Sequence, residues 1–200
     1  MIDKALILLR GEANSYLNLK NGTVEDKIVL SNVATESGSW AIPEDKLGMS
    51  LVKVEEERML KEQNSAHKNP DGKISFYNPE LRFNLYALVT ANFPNGDTDA
   101  TSTKYTEGLK QLSYIISFFQ QKHVFTPANT PAMAAMGELE KLIVELYYYG
   151  FEQQDNLWTV IGAKYLPSVL YKIRVVRFQE AAVKEQGPPI LENNLNLIGG

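Results

Sequence analysis

The side chains of this chain that could do acid–base or metal chemistry are few and scattered. Its two histidines, His67 and His123, stand far apart, and neither has a second ligand or base at motif spacing. A lone histidine is most often a surface or capping residue. One enzymatic or small-ligand alternative stays open: His123 acting with Glu138 or Glu140, which requires these groups to converge in one cleft.

The run Glu55, Glu56, Glu57 and Arg58 is the other place where paired carboxylates could work. We interpret this segment as a strand, in which adjacent side chains point to opposite faces, so Glu56 cannot readily join Glu55 or Glu57. A solvated or ion-paired edge is the better interpretation of the run.

Sequence motifs add no chemistry. The chain has no cysteine, which excludes disulfides, thiolate metal sites and cysteine nucleophiles. It has no Gly-x-Ser-x-Gly elbow, no phosphate-binding glycine loop and no His-Glu-x-x-His helix. The run Tyr147–Tyr149 is expected to divide between the two faces of a strand, as core and interface. We therefore predict no enzyme, no metal and no cofactor.

Composition narrows the class of protein further. At 200 residues the chain suits one domain with or without a tail, and its net charge of −4 argues against a nucleic-acid binder. No segment approaches the roughly 18 apolar residues of a membrane span. The short apolar run at residues 5–9 lacks the basic leader and cleavage site of a signal peptide.

The elements that position these side chains follow from hydrophobic periodicity. Apolar residues at helical spacing predict long helices over residues 2–19 and 103–121, and a short helix over 154–163. Alternating or β-branched runs predict strands over residues 27–33, 80–93, 143–151 and 169–178. Residues 49–60 are ambiguous, and their alternating valines favour a strand. Helix 103–121 is apolar enough to be sandwiched in the core or covered by another subunit.

The remaining segments are predicted to connect or extend these elements. The polar stretch 62–77 has a turn signal at residues 69–72, typical of a mobile segment or a hairpin tip. Two X-Pro steps at residues 126–131 predict extended chain. We expect an α+β domain over residues 1–178 and a polar, extended tail over 179–200. These patterns alone indicate an interaction or structural protein.

A set of segments in fixed order resembles a known family across about residues 1–178. The N-terminal half of the set comprises residues 1–2, 29–34, 56–58, 85–86, 91–93, 105, 109 and 112–120. The C-terminal half comprises residues 124–127, 129–131, 151–154, 156–158 and 162–172. The set is similar to the tail-terminator, or cap, proteins of extracellular contractile injection systems of the antifeeding-prophage and virulence-cassette kind.

The resemblance implies a fold and a role. The expected fold is phage tail-terminator-like, with a mostly antiparallel or mixed sheet flanked by two long helices and one short helix. The expected role is structural: a six-membered ring at the end of the tube and sheath, which stops tube polymerisation and joins sheath to inner tube. The partners would be other copies of the chain, sheath and inner-tube proteins. Assembly would occur in the cytoplasm, and the protein would then belong to a phage tail-like particle.

Two segments are predicted to lie at a subunit or sheath contact, because fixed X-Pro geometry and a polar run beside aromatics exceed what a core requires. Their residues are Phe125, Thr126, Pro127, Asn129, Pro131, Phe151, Glu152, Gln153, Gln154, Asn156 and Trp158. Within the same biology, a tube initiator or another tail adaptor is the alternative.

Overall fold

The computed structural model describes residues 1–57, 66–68, 74–77, 81–94, 103–137, 139–178 and 183–187. The helices are α1 (Ile2–Asn21), α2 (Thr103–Gln121), α3 (Pro131–Met136) and α4 (Phe151–Ile161). The strands are β1 (Ile28–Leu30), β2 (Lys46–Glu56), β3 (Ala66–Lys68), β4 (Ile74–Tyr77), β5 (Leu81–Asn92), β6 (Val124–Phe125), β7 (Lys141–Leu146), β8 (Ser168–Phe178) and β9 (Val183–Gly187).

The centre of the fold is a six-stranded sheet in the order β1-β2-β5-β8-β7-β6. Only the β1–β2 pair is parallel, and the other neighbours are antiparallel. Both edges of the sheet are short strands, which limits unwanted edge-to-edge pairing. The mostly antiparallel, mixed sheet confirms the predicted α+β class.

The first face of the sheet packs against α1, α2 and α3. Alternate residues of β5 and β8, such as Leu85 and Ile173, are fully or almost fully buried there. Helix α1 adds a stripe that includes Leu9 and Leu17. Helix α2 adds Ile115 and two phenylalanines, and this face therefore holds the larger hydrophobic cluster.

The second face carries a smaller cluster beneath α4. Leu88 and Leu170 project from the sheet, and Trp158 comes down from α4. Val33 and Ile42 close this cluster from the segment between β1 and β2. Strand β5 is thus covered on both faces in its second half, which agrees with the predicted change from polar to apolar residues on that face.

Several predicted elements are confirmed. The two long helices, the strand favoured for residues 49–60, and the strands at 80–93 and 169–178 all occur, with ends shifted by a few residues. Helix α1 ends at Gly22, whose φ of 65° is the left-handed geometry that glycine adopts without strain. Residues 58–60, at the end of the predicted strand 49–60, lie outside the described residues.

Other predictions are corrected. Strand β7 ends at Leu146, so Tyr147–Tyr149 do not divide between two strand faces, and α4 begins at Phe151 instead of residue 154. Gly150 serves as the N-cap of α4 in extended conformation. The extended chain predicted through Pro131 gives way to α3, because proline is well suited to the first turn of a helix.

Two short strands flank the predicted turn at residues 69–72. Strands β3 and β4 pair antiparallel, and β9 pairs with β4 on the other side, forming a second sheet. This pairing agrees with the hairpin interpretation of residues 62–77. The turn itself lies outside the described residues, as does most of the segment 179–200, so the domain boundary at residue 178 stays a prediction.

Candidate assembly surfaces

The structure does not bring the histidine alternative together. Phe125 pairs with Leu142 and Val124 with Ile143, which sets His123 opposite Val144. Glu140 therefore lies four residue positions from His123 along the strands, about 13 Å. That separation is too long for direct proton transfer between the two side chains. Glu138 lies outside the described residues.

The carboxylates of β2 are bonded to neighbouring side chains. Glu55 accepts a hydrogen bond from the Tyr86 hydroxyl at 2.9 Å and one from Lys53 Nζ at 3.4 Å, and both bonds lower its pKa. Burial and the Glu55 bond raise the pKa of Tyr86 to about 12. Glu57 accepts from the Asn84 amide at 3.0 Å. The ion-paired interpretation of this run is confirmed for Glu55, and no described group of histidine, aspartate and glutamate side chains could hold a metal ion.

The first predicted contact segment, residues 125–131, is a preorganised turn that we call the proline loop. The Asn129 carboxamide oxygen accepts from the Thr126 amide at 2.9 Å and from the Thr130 hydroxyl at 2.8 Å. The Asn129 amide nitrogen donates to the Val124 carbonyl at 3.0 Å. Asn129 thus satisfies the backbone of its own loop and holds Pro127 in a fixed, exposed position.

The ends of the proline loop point inward. Phe125 is fully buried, with its ring centroid 6.2 Å from that of Phe118 and 6.4 Å from that of Phe119. Thr130 is buried as well, whereas Pro131 is exposed. Phe125 therefore belongs to the core, and its predicted place at or beside a contact stays a prediction. It supports the loop from beneath.

The second predicted contact segment lies on α4. The Gly150 amide donates to Gln153 Oε1 at 3.1 Å, and the Gln154 amide donates to the Gly150 carbonyl at 2.9 Å. Gln153 thus satisfies a helix N-terminal amide, and Glu152 lies in the first turn, where a negative charge is favourable. The polar run is therefore the start of a helix, and helix capping explains part of it.

Not all of this segment faces solvent. Glu152, Gln153 and Asn156 are exposed and Gln154 is half-buried. Trp158 is the one residue of α4 that is buried, and its ring lies 5.4 Å from that of Tyr165. Trp158 therefore packs α4 against the sheet, and its predicted place at or beside a contact stays a prediction.

The chain at the start of α4 exposes a group of large apolar side chains that we call the aromatic surface: Leu146, Tyr147, Tyr148 and Phe151. Tyr148 is 88% exposed and Phe151 is 92% exposed. Beside them an apolar groove of about 290 Å³ runs between α4 and the sheet, with Tyr86, Tyr149 and Leu157 in its walls. Exposed aromatics beside an apolar groove are typical of protein contacts.

Sequence reasoning missed a second groove, of about 200 Å³, which we call the Trp40 groove. Its walls include Trp40, Pro94, Tyr105, Leu109, Tyr165 and Pro167. Tyr105 and Leu109 had a sequence signal, because they extend the apolar stripe of α2 beyond one buried face. Trp40 and Tyr165 had none, because they meet only in the fold, where Trp40 Nε1 donates to the Lys164 carbonyl at 3.3 Å.

No described helix is long and apolar enough to cross a bilayer. The profile of the Pvc16 N-terminal domain family matches residues 8–192. A comparison with curated proteins finds no match.

Two solved structures have a similar fold. The cap of the anti-feeding prophage, a tube-terminating cap, matches with a TM-score of 0.60 and 11% identity over 96% of this chain and 60% of that one. The sheath/tube terminator of the extracellular contractile injection system PVC, in its extended state, matches with a TM-score of 0.54 and 10% identity over 94% of this chain and 63% of that one. This chain spans about three fifths of either protein, and the terminator-like fold is confirmed.

Proposed function

Because the chain belongs to the Pvc16 N-terminal domain family, we propose that it is a structural cap that ends the tube of a contractile injection system. In this role six copies form a ring, which stops tube polymerisation and joins the sheath to the inner tube. The family match over residues 8–192 is the observation that carries the proposal. The fold shared with two terminator proteins supports it.

The aromatic surface and the proline loop are the proposed contact surfaces. Tyr148 and Phe151 are almost fully exposed, which is costly for a chain that stays alone in water. Pro127, Asn129 and Pro131 are exposed on a loop that the Asn129 side chain holds together through hydrogen bonds to the backbone of Thr126 and Val124. Preorganised loops of this kind lose little conformational entropy when a partner binds.

A ring requires head-to-tail contacts, in which one patch of each copy meets a different patch of the next copy. The aromatic surface and the Trp40 groove are separate apolar features of the chain, so each can contact a different part of a neighbouring subunit. The partners are other copies of the chain, sheath protein and inner-tube protein. No catalytic step, cofactor or nucleic acid enters this role. The ring assembles in the cytoplasm and remains part of the particle.

Electron microscopy of particles produced with and without the chain tests the role. If the chain caps tubes, its absence gives overlong or unstable tubes of variable length. Unchanged tube lengths contradict the proposal. Complete loss of tubes in its absence would instead indicate a tube initiator.

A substitution on the aromatic surface tests its part in assembly. We expect Phe151→Asp to prevent incorporation of the chain into particles while the monomer stays folded, because a charge on this surface must be desolvated at the contact. Val24→Asp is the matched control, since Val24 is 97% exposed and lies outside the proposed surfaces. Thermal unfolding monitors the monomer and microscopy monitors the particles. Normal capping by the Phe151 variant contradicts this contact.

A further inference from the structure

Among the residues that the structure describes, none that lines the Trp40 groove carries a charged side chain. Aromatic rings and prolines form most of its lining, together with Leu109 of α2. It lies at one end of the sheet, where Ala91 is near the end of β5, Phe93 follows that strand and Pro167 precedes β8. A groove with this composition selects an uncharged, apolar segment as its occupant.

The groove presents ring surface to solvent. Trp40 is 37% exposed, and Tyr105 and Tyr165 are also exposed. The Trp40 indole N–H already donates to the Lys164 carbonyl, so the ring is held in place with its remaining surface available for packing. Aromatic-lined grooves with this kind of surface bind proline-containing extended segments, whose backbone is already ordered before binding.

The chain itself carries such a segment. Pro188 and Pro189 follow β9 directly, and Ile190 and Leu191 continue the apolar run before the charge at Glu192. Two adjacent prolines have fixed φ, which lowers the entropy lost on docking. Four uncharged residues in sequence match the uncharged walls of the groove.

The geometry of β8 decides which copy supplies this segment. Strand β8 starts beside the groove and is 11 residues long, so Phe178 lies about 35 Å away. Pro188 follows Phe178 by ten residues, and a chain of that length spans at most about 35 Å when it is fully extended. Residues 183–187 are paired with β4, so they cannot also extend along β8 towards the groove. The chain between Phe178 and Pro188 is therefore too short to bring Pro188 to the groove of the same copy.

We propose that residues 188–191 of one copy dock in the Trp40 groove of a second copy. The segment and the groove are different surfaces of the chain, so the contact is head-to-tail and can be repeated around a ring. The docking rests on the proposed function, and it names the contact that links neighbouring copies.

The two tryptophans provide a direct measurement. Trp158 is only 6% exposed, so acrylamide quenching of the full chain reports mainly on Trp40. We expect quenching to fall as protein concentration rises, because docking covers Trp40. In the double variant Pro188→Ser, Pro189→Ser, quenching should stay high at all concentrations. A synthetic peptide of residues 187–194 should restore saturable protection in this variant.

Helix α2 offers a matched pair of groove variants for the peptide titration. Leu109 is 39% exposed and lines the groove, whereas Ile116 is 40% exposed and lies outside it. In the double-serine background, Leu109→Lys should weaken peptide binding about tenfold or more, and Ile116→Lys should leave it unchanged. Equal effects of the two lysines, or no peptide binding before they are introduced, overturn the proposal.

Further results separate docking between copies from docking within one chain, and separate the docking from the capping role. Trp40 protection that depends on the two prolines but not on concentration means that each chain fills its own groove, which overturns docking between copies. If the peptide fails to bind while tubes still become overlong without the chain, the docking is wrong and the capping role stands. Peptide binding together with normal tube lengths supports the docking and contradicts the capping role.

Discussion

Removing the carboxamide of Asn14 is expected to destabilise the chain strongly. Asn14 lies on α1 and is 2% exposed. Its oxygen accepts from the amides of Lys27 and Ile28, at 3.0 and 2.8 Å, and its amide nitrogen donates to the Ile28 carbonyl at 3.0 Å. Because β1 is an edge strand, the outward-facing backbone groups of Ile28 have no neighbouring strand to bond. The Asn14 side chain makes these hydrogen bonds instead.

The size of the effect follows from these bonds. Asn14→Ala leaves two backbone N–H groups and one carbonyl without a partner, and each such group costs about 1–3 kcal/mol when buried. Water can enter beside an edge strand, so the lower end applies and the expected loss is about 3 kcal/mol. For a chain of this size that corresponds to a fall in melting temperature of roughly 6–12 °C.

Urea unfolding followed by tryptophan fluorescence and circular dichroism measures this loss. Ser15→Ala is the control: Ser15 is exposed and its hydroxyl donates to the Gly11 carbonyl of its own helix, so its loss should change stability by less than about 0.5 kcal/mol. Asn14→Leu separates the lost bonds from the lost volume, because it refills most of the space. If Asn14→Ala costs under about 1 kcal/mol, or if Asn14→Leu is as stable as the unaltered chain, the hydrogen-bond reasoning is refuted.

Two further predictions concern packing and charge. A Cβ added at Gly48 would lie 2.4 Å from Cδ1 of the buried Ile42, so Gly48→Ala should destabilise the chain by about 1–3 kcal/mol. A Cβ at Gly11 of α1 meets open space, so Gly11→Ala should stabilise the chain by about 0.5–1 kcal/mol. Urea unfolding that changes the stability of both variants in the same direction contradicts this pair of predictions. Hydrogen bonds from Lys46 and then Lys27 lower the pKa of Glu25 to about 2. Because the folded-state pKa is depressed, the stabilisation from this carboxylate is present above the ordinary value of 4.5 and is lost as pH falls towards 2. An NMR titration should give a midpoint near 2 that rises in Lys46→Met, and an unchanged midpoint in that variant contradicts the assigned cause.

Local patterns predicted most of the regular elements because their information lies within one segment. The apolar repeat of residues 2–19 specifies a helix wherever it packs, and the alternation in residues 80–93 specifies a strand. The errors lie where a single residue decides between two geometries. Strand β7 ends at Leu146 and Gly150 caps the start of α4, and Pro131 starts α3 where an extended chain was predicted.

The candidate surfaces were only partly predictable. The two segments selected from sequence do contain exposed groups, such as Pro127 and Phe151. Polarity and aromatic content did not predict that Phe151 is exposed and Trp158 is buried, because both are aromatic residues of the same helix. Trp40 and Tyr165 had no local signal as parts of a groove, since its walls come from segments distant in sequence that meet only at the end of the sheet.

The sequence by itself determined the α+β fold class. Its periodicities specify two long helices and a sheet. Tertiary structure alone decided which aromatic side chains are buried. Phe125 is enclosed by Phe118 and Phe119, and Trp158 is enclosed by the second face of the sheet. Tyr148 and Phe151 meet no such neighbours in the part of the chain that the structure describes, and they are exposed there. The physical reason is that periodicity depends on adjacent residues, whereas burial depends on surfaces that distant segments bring together.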